Sequence, residues 1–362
     1  MKTLLVITKA EIGGAQSFIL TLAKGLKKCE NQVAVAAGEG NFLPEELKKE
    51  NINFFRLNNL KRSRNPLAII GFILELKKLI DKNSFDVLHL NSTNTLPGVL
   101  AAKLSKLKPK IIFTMHGLSV LDPNYNASKF IKFIFKIYFK FFLRFVDKVV
   151  FVSKCNLIEA TKQKIIKDGT VIYNGLDINQ NYFLTKNQAR EELGKLINVS
   201  LSEDYLIGSI GRLAPQKNYN FIINAWPEIK KIKANAKLII IGEGPEREKY
   251  QRLIKSIGAL NDIFLVGEII DASRFLKGLD IFVLPSVYEG LSISLIEAGF
   301  SDISILASDV GGNSEIVNAE NCFIFDDQKD FLDKLSKNMV ARIDQAPFSA
   351  KVMIKRYQEI YE

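Results

Sequence analysis

Residues 281–299 read IFVLPSVYEGLSISLIEAG. The run 281–285 has no polar member, the pattern of a strand covered on both faces. Gly290 breaks the chain, and residues 291–299 read as a helix, so the stretch is a strand–loop–helix unit. Ligands of such units sit at the carboxyl end of the strand, where the loop leads into free helix amides. Glu289-Gly290 stand at that end, followed by Leu291 and Ser292 at the helix start. Glu297 falls two turns into an otherwise apolar helix, where a carboxylate is costly without a partner. A ribose diol offers two O–H donors to one carboxylate; a neighbouring Lys or Arg is the alternative.

Outward from this unit the pattern repeats. Apolar runs precede helix-like segments at 3–8, 32–37, 53–57, 86–90, 110–115 and 148–153, and again at 205–211, 237–242, 263–267 and 304–308. Runs of this kind alternating with helices predict two doubly wound α/β domains with parallel sheets. The expected division is into residues 1–172 and residues 173–345, with the boundary at the turn VIYNGLD. Residues 346–362 are expected to form a helix that packs back on the first.

Composition narrows the function classes. With 362 residues, 47% of them hydrophobic, the chain can bury two cores and is not disordered. Cys29, Cys155 and Cys322 are too dispersed for a disulfide framework, and His89 and His116 are too few for a histidine-based metal site. No metal site is therefore expected, and no cofactor is assigned. MKTLLVITKA is too short for a signal peptide, and lysines interrupt every longer apolar stretch, so a cytoplasmic protein is expected. Residues 1–172 carry 28 Lys/Arg against 13 Asp/Glu, whereas residues 173–362 carry 22 against 26. Only the first half is thus suited to an anionic surface.

Other residues at strand ends have a shared chemistry. Gly13-Gly14, after the first strand, permit close backbone approach at a helix N-terminus. Gly211-Arg212-Leu213-Ala214-Pro215-Gln216-Lys217 places a planar fork and a point charge around a proline turn, which suits a diphosphate. Gly242-Glu243-Gly244-Pro245 and Gly267-Glu268-Ile269-Ile270 follow strands where a base and ribose have room. His116-Gly117 follows the run 110–115; a lone histidine of this kind is either a structural hydrogen-bonder or a catalyst. Val310-Gly311-Gly312-Asn313-Ser314-Glu315 reads as a structural turn.

Taken in order, GGAQ, the HG after a strand, VSKCN (152–156), VIYNGLD (171–177), GRLAPQKN, IGEGP, the two glutamates of YEGLSISLIE separated by seven residues, and SDVGGNSEIV resemble the retaining glycosyltransferases of family 4. The resemblance runs from residue 3 to the end. It implies a GT-B fold, two Rossmann-like domains, and no metal. Arg212 and Lys217 would hold the donor diphosphate with Gly13, Gly14 and the amides after Glu289. Gly211 and Gly242 would line the donor site, Glu297 would hold the ribose, Glu289 the sugar hydroxyls, and Gly267 with Ile269 the base. His116 would stand by the anomeric centre and acceptor, with Asn91 and Gln16 on the acceptor side. HLNSTNTLPGVLAAKL (89–104) further resembles the bacterial surface-polysaccharide branch. Two departures stand out: Gln16 occupies a position that is often acidic in the family, and GFSDISILASD lacks the usual Gly-x-Pro.

In SKFIKFIFKIYFKFFLRFVDK (128–148), Lys129, Lys132, Lys136, Lys140 and Arg144 fall within about 120° on a helix. The helix reads either as a core element with a solvated cationic stripe or as an interfacial helix on an anionic membrane. The expected function is transfer of a hexosyl or N-acetylhexosaminyl group from a nucleotide-diphosphate sugar, UDP favoured, to a lipid-linked glycan or surface-polysaccharide precursor, at the cytosolic face of a membrane. Nucleic acid is not an expected partner. A UDP-N-acetylhexosamine 2-epimerase and a non-catalytic binder of anionic surfaces are the alternatives.

Overall fold

The computed structural model describes every residue except 63–64, 178–181 and 338–342. Two compact units make up the chain: residues 1–177 with 346–362, and residues 178–345.

The first unit is built on seven parallel strands: β1 (Lys2–Ile7), β2 (Gln32–Ala37), β3 (Asn53–Arg56), β4 (Val87–Asn91), β5 (Lys110–Met115), β6 (Lys148–Phe151) and β7 (Thr170–Val171). They lie in the order β3-β2-β1-β4-β5-β6-β7. Between them run α1 (Gly14–Lys28), α2 (Phe42–Lys49), α3 (Pro66–Asn83), α4 (Gly98–Leu104), α5 (Lys129–Leu143) and α6 (Lys154–Lys162). Residues 87–91 of β4 are buried on both faces, which is why the strand reads as unbroken apolarity apart from His89 and Asn91. Helix starts follow from their caps. The Asn65 side chain accepts from Leu67 N ahead of Pro66, and the Ser128 side chain accepts from Ile131 N.

The second unit repeats the design with six strands: β8 (Tyr205–Ile210), β9 (Ala236–Ile241), β10 (Ile263–Gly267), β11 (Ile281–Leu284), β12 (Ser304–Ser308) and β13 (Cys322–Phe323). Their order is β10-β9-β8-β11-β12-β13, again parallel. The helices are α7 (Lys186–Ile197), α8 (Tyr219–Asn224), α9 (Trp226–Ile232), α10 (Arg247–Ser256), α11 (Ile293–Phe300), α12 (Asn313–Ile316) and α13 (Gln328–Ser336). Its core gathers Tyr219, Trp226, Tyr250, Phe323 and Phe331. Strand order reverses between β1 and β4 in one unit and between β8 and β11 in the other. In an open sheet these switch points are where a crevice forms at the carboxyl ends.

The last helix, α14 (Ala350–Tyr361), belongs to the first unit. Tyr361 Oη lies 2.6 Å from His89 Nδ1, Thr114 Oγ1 2.7 Å from His89 Nε2, and Tyr357 Oη 2.9 Å from Thr114 Oγ1. His89 is therefore a buried structural link; burial, with His116 nearby, holds its imidazole down to about 3.

Helix α5 has one face in the core and another in solvent. One face carries Phe139 and Leu143 into the core, with Phe135, Tyr138 and Phe142 packed beside them. Another leaves Phe130, Phe133, Ile134, Ile137 and Phe141 exposed. It ends at Leu143 rather than continuing to 148, because Lys148 already pairs with Ile112 in the sheet. Among the described residues no helix is long and apolar enough to cross a membrane.

Candidate functional site

In the second unit the carboxyl ends of β8, β9, β10 and β11 bring together the residues expected to hold a donor. Three glycines converge first. Gly211 N donates to Ile241 O over 3.0 Å, and Gly242 N donates to Gly267 O over 2.8 Å. Gly242 has φ +149°, and a Cβ there would sit 2.1 Å from Gly211 O. Only glycine allows these loop segments to lie so close. A Cβ on Gly211 would likewise press on Lys217 Cε, so the lysine side chain lies over a bare backbone.

Lys217 ends the 3-10 turn Pro215–Lys217 and reaches the loop after β11. Its Nζ donates to Glu289 Oε1 over 2.6 Å, and Ser286 Oγ donates to the same oxygen over 2.7 Å. The loops are also tied through their backbones. Val287 N donates to Gln216 O over 2.8 Å, and Gln216 Nε2 donates to Tyr288 O over 3.0 Å. Behind Glu289, Gly311 adopts φ +55°, where a Cβ would lie 2.0 Å from Glu289 O. The Gly311-Gly312 turn thus buttresses the loop from below. Arg212 is exposed, and among the described residues no carboxylate pairs with it. The site holds one compensated cation and one open one.

Helix α11 starts directly after this loop. Leu291 and Ser292 are buried, and Ser292, at the N-cap, places no side chain on the helix amides. Glu297 lies on the fifth residue of the helix, half-buried. Ser273 donates to its carboxylate, and Tyr182 Oη lies 2.8 Å from Ser273 Oγ. Burial, reinforced by the Asp271 charge and opposed by the serine, pushes the Glu297 carboxyl up to about 7. Among the described residues no Lys or Arg is paired with it, so the ion-pair alternative is not realised. Ile269 is half-buried in the loop after Gly267, within the same set of strand ends.

In the first unit the switch point between β1 and β4 collects the residues expected on the acceptor side. Asn91 ends β4 and pairs in register with Ile7 and Thr114. Its Nδ2 donates to His89 O over 3.2 Å, which turns Oδ1 toward His116 Nε2, 3.0 Å away. An acceptor at that position requires the proton on Nε2 and leaves Nδ1 as the lone-pair nitrogen. Burial lowers the imidazole to about 4, and the Phe18 ring meets it edge-on at 4.7 Å. Gln16 acts locally, because its Nε2 donates to Lys9 O over 2.9 Å and closes the loop after β1. A Cβ on Gly13 would meet only the end of this side chain, at 2.7 Å from Oε1. Sequence reasoning missed Ser273, which carries no motif signal, and with it Tyr182.

Two doubly wound units, with paired cations, a glutamate and a helix N-terminus at a strand-order reversal, define a glycosyltransferase of the GT-B type. The family model "Glycosyltransferase Family 4" matches residues 12–180, and "Glycosyl transferases group 1" matches residues 191–347. The chain belongs to glycosyltransferase family 4. It is 27% identical to the O-antigen biosynthesis glycosyltransferase WbnH of Escherichia coli, over 99% of this chain and 97% of that one. It is 24% identical to the UDP-Gal:alpha-D-GlcNAc-diphosphoundecaprenol alpha-1,3-galactosyltransferase of the same organism, over 75% of this chain and 70% of that one. The crystal structure of Anabaena Alr3699/HepE in complex with UDP and glucose matches with a TM-score of 0.80, covering 99% of each chain at 17% identity.

Proposed function

We propose that the protein transfers a hexosyl or N-acetylhexosaminyl group from a UDP-sugar to a lipid-linked glycan or other surface-polysaccharide precursor, with retention of configuration and without a metal, at the cytosolic face of an anionic membrane. The Arg212, Lys217–Glu289 and Glu297 cluster at the β8/β11 switch point carries the reading. Arg212 and Lys217 oppose the charge that gathers on the diphosphate as the glycosyl bond breaks, where electrostatic stabilisation contributes most. The first amides of α11 add donors for phosphate oxygens. Glu297 takes the ribose diol, and Glu289 takes sugar hydroxyls while it steers Lys217. Gly267 and Ile269 border the base. His116, neutral at physiological pH, presents Nδ1 to a hydroxyl. Among the described residues no three His, Cys, Asp or Glu side chains cluster as metal ligands.

Support for the lipid-linked acceptor comes from the relative whose name contains diphosphoundecaprenol, and for UDP from that name and from HepE. The test is incubation of the protein with radiolabelled UDP-sugars and membrane extract in excess EDTA. Label moving into the lipid fraction is the expected result. Isomerised sugar, or activity that needs added manganese or magnesium, refutes the reading.

A further inference from the structure

A cavity of about 310 Å³ opens in the first unit between the early turns of α3 and α5. Leu60, Phe72, Pro97, Ile134, Phe135 and Tyr138 are among the residues that line it. Tyr138 sends its hydroxyl to Thr93 O over 3.0 Å, so it offers ring carbon to the cavity. Asn94 at the rim donates to Lys61 O over 3.1 Å, which leaves the interior apolar. The volume falls at the lower end of the ~300–1,000 Å³ typical of small-ligand pockets.

The surroundings identify the occupant. The same two helices expose Leu67, Ile70, Phe130 and Ile137 to solvent. Lys129, Lys136, Lys140 and Arg144 flank that face of α5, and among the described residues none has a carboxylate partner. Lysines are depleted at the centre of protein–protein interfaces, whereas apolar residues beside uncompensated cations suit a hydrocarbon with an anionic head. Position separates a substrate's chain from bulk lipid. Asn59, Leu60 and Lys61 follow β3, and Thr93, Asn94 and Pro97 follow β4, so the cavity lies at the carboxyl edge of the sheet. The loop that forms one wall begins at Asn91, the residue that holds His116. A membrane surface needs only an exposed face; a concave apolar pocket at the carboxyl edge of the sheet, walled by the loop that follows Asn91, fits a chain joined to the acceptor.

We propose that this cavity binds the head-proximal part of the hydrocarbon chain of a lipid-diphosphate-linked acceptor. The proposal rests on the reading that the acceptor is lipid-linked. Its test is photolabelling of the full-length protein with farnesyl diphosphate carrying a diazirine, followed by peptide mapping. Label is expected within residues 59–72 and 131–138. Ala68→Phe, which fills the cavity from a half-buried helix position, is expected to cut labelling about tenfold, the loss from roughly two methylenes left in water. Ile134→Ser, at an exposed position, provides the same test should Ala68→Phe misfold. UDP binding and melting temperature are expected to stay unchanged. Label elsewhere, or label indifferent to both substitutions, overturns the proposal. So does a wild-type dimer that Ala68→Phe dissociates, because the cavity then takes a second copy. Pocket labelling without sugar transfer counts against the proposed function alone, and transfer without pocket labelling against the cavity alone.

Discussion

The Lys217 ammonium lies 2.6 Å from the Glu289 carboxylate, with 15% and 7% of the two side chains exposed. Ser286 donates to the same oxygen, so this nearly dry pair is held on both sides. Removing one member of such a pair strands a buried charge, at roughly 3–5 kcal/mol. An ammonium has three N–H donors, so Lys217 can keep Glu289 and still reach a phosphate oxygen. Lys217→Ala is therefore expected to lower both melting temperature and transfer rate. Adding Glu289→Gln to Lys217→Ala should restore much of the stability, since no carboxylate is left uncompensated, and none of the activity. Melting curves and kcat/KM on the two variants check this. Recovery of activity along with stability would show that the pair serves the fold alone.

Arg212 is the contrasting case, exposed and without a carboxylate partner among the described residues. Arg212→Ala is expected to leave the melting temperature within a degree or two, as surface substitutions do. Transfer should fall by roughly 30- to 1000-fold, the loss of about 2–4 kcal/mol of charge-assisted bonding in the transition state. A normal rate would remove the loop 211–217 from the donor site.

Glu297 gives a prediction with a definite sign. Its carboxyl is pushed up to about 7 in the folded protein against an ordinary 4.5, chiefly because partial burial desolvates the charged form. Between those values the folded state holds a proton that the unfolded chain has released, so this group's stabilisation is full below about 4.5 and is lost as pH rises through 7. Glu297→Gln should then melt higher than the parent at pH 8 and not at pH 4.5. Its UDP affinity should be lower at pH 8, by roughly 1.5–3 kcal/mol for bonds to an ionised group. The parent's UDP affinity should rise with pH through the same window more steeply than the variant's, whose remaining slope belongs to the nucleotide phosphate. Calorimetric titrations at pH 5.5 and 8 measure both. Equal slopes would place the ribose elsewhere.

Much of this was legible in the sequence because the site is made of strand ends. Apolar runs such as KLIIIG and IFVLP announce buried parallel strands, and the residues just after them fall in the crevice by topology alone. The two-residue strands β7 and β13 were not legible, being too short to show any period. Helix α5 was ambiguous for a different reason: phenylalanine serves equally a core face and an exposed face, and sequence cannot tell which neighbour covers it. Ion-pair and hydrogen-bond partners were also hidden. Lys217 and Glu289 are 72 positions apart, and in sequence each reads as meeting the donor directly rather than the other. Gln16, expected on the acceptor side, is seen to close its own loop, since its amide reaches Lys9 O.

His116 and Asn91, proposed for the acceptor side, are joined by a hydrogen bond of 3.0 Å. Burial keeps the imidazole neutral down to about pH 4, so no loss of activity from its protonation is expected between pH 5 and 8. Asn91→Ala removes the acceptor that fixes the proton on Nε2 and frees the ring to turn. A positioned base or hydrogen-bonder contributes about 10²–10⁴-fold, and misplacing it should forfeit part of that. A tenfold or larger drop in kcat is expected with the KM for donor unchanged, and His116→Ala should lower kcat further. If Asn91→Ala raises only the donor KM, the pair belongs to donor binding instead.

The lysines of α5 are not equivalent, and their positions decide which of them can meet a membrane. Lys132 Nζ donates to Asp122 O and Pro123 O, 2.8 and 3.2 Å away, so it anchors the loop before α5 and is a poor choice for substitution. Lys129 and Lys140 are exposed, Lys136 is half-buried, and the exposed rings of Phe130, Phe133 and Phe141 stand on the adjoining side. Cations near an anionic surface contribute on the order of 1 kcal/mol each, and salt screens them. Replacing Lys129, Lys136 and Lys140 with Gln is expected to release the protein from anionic vesicles at low salt. Replacing Phe130 and Phe133 with Ser should weaken binding at every salt concentration, because the apolar part is not screened. Neither set belongs to the unit that carries the donor loops, so turnover of a water-soluble acceptor analogue is expected to hold in both. Co-sedimentation with anionic and neutral vesicles at two salt concentrations reads all of this. Binding that is absent in the parent, or indifferent to lipid charge, would leave the exposed face of α5 to a protein partner.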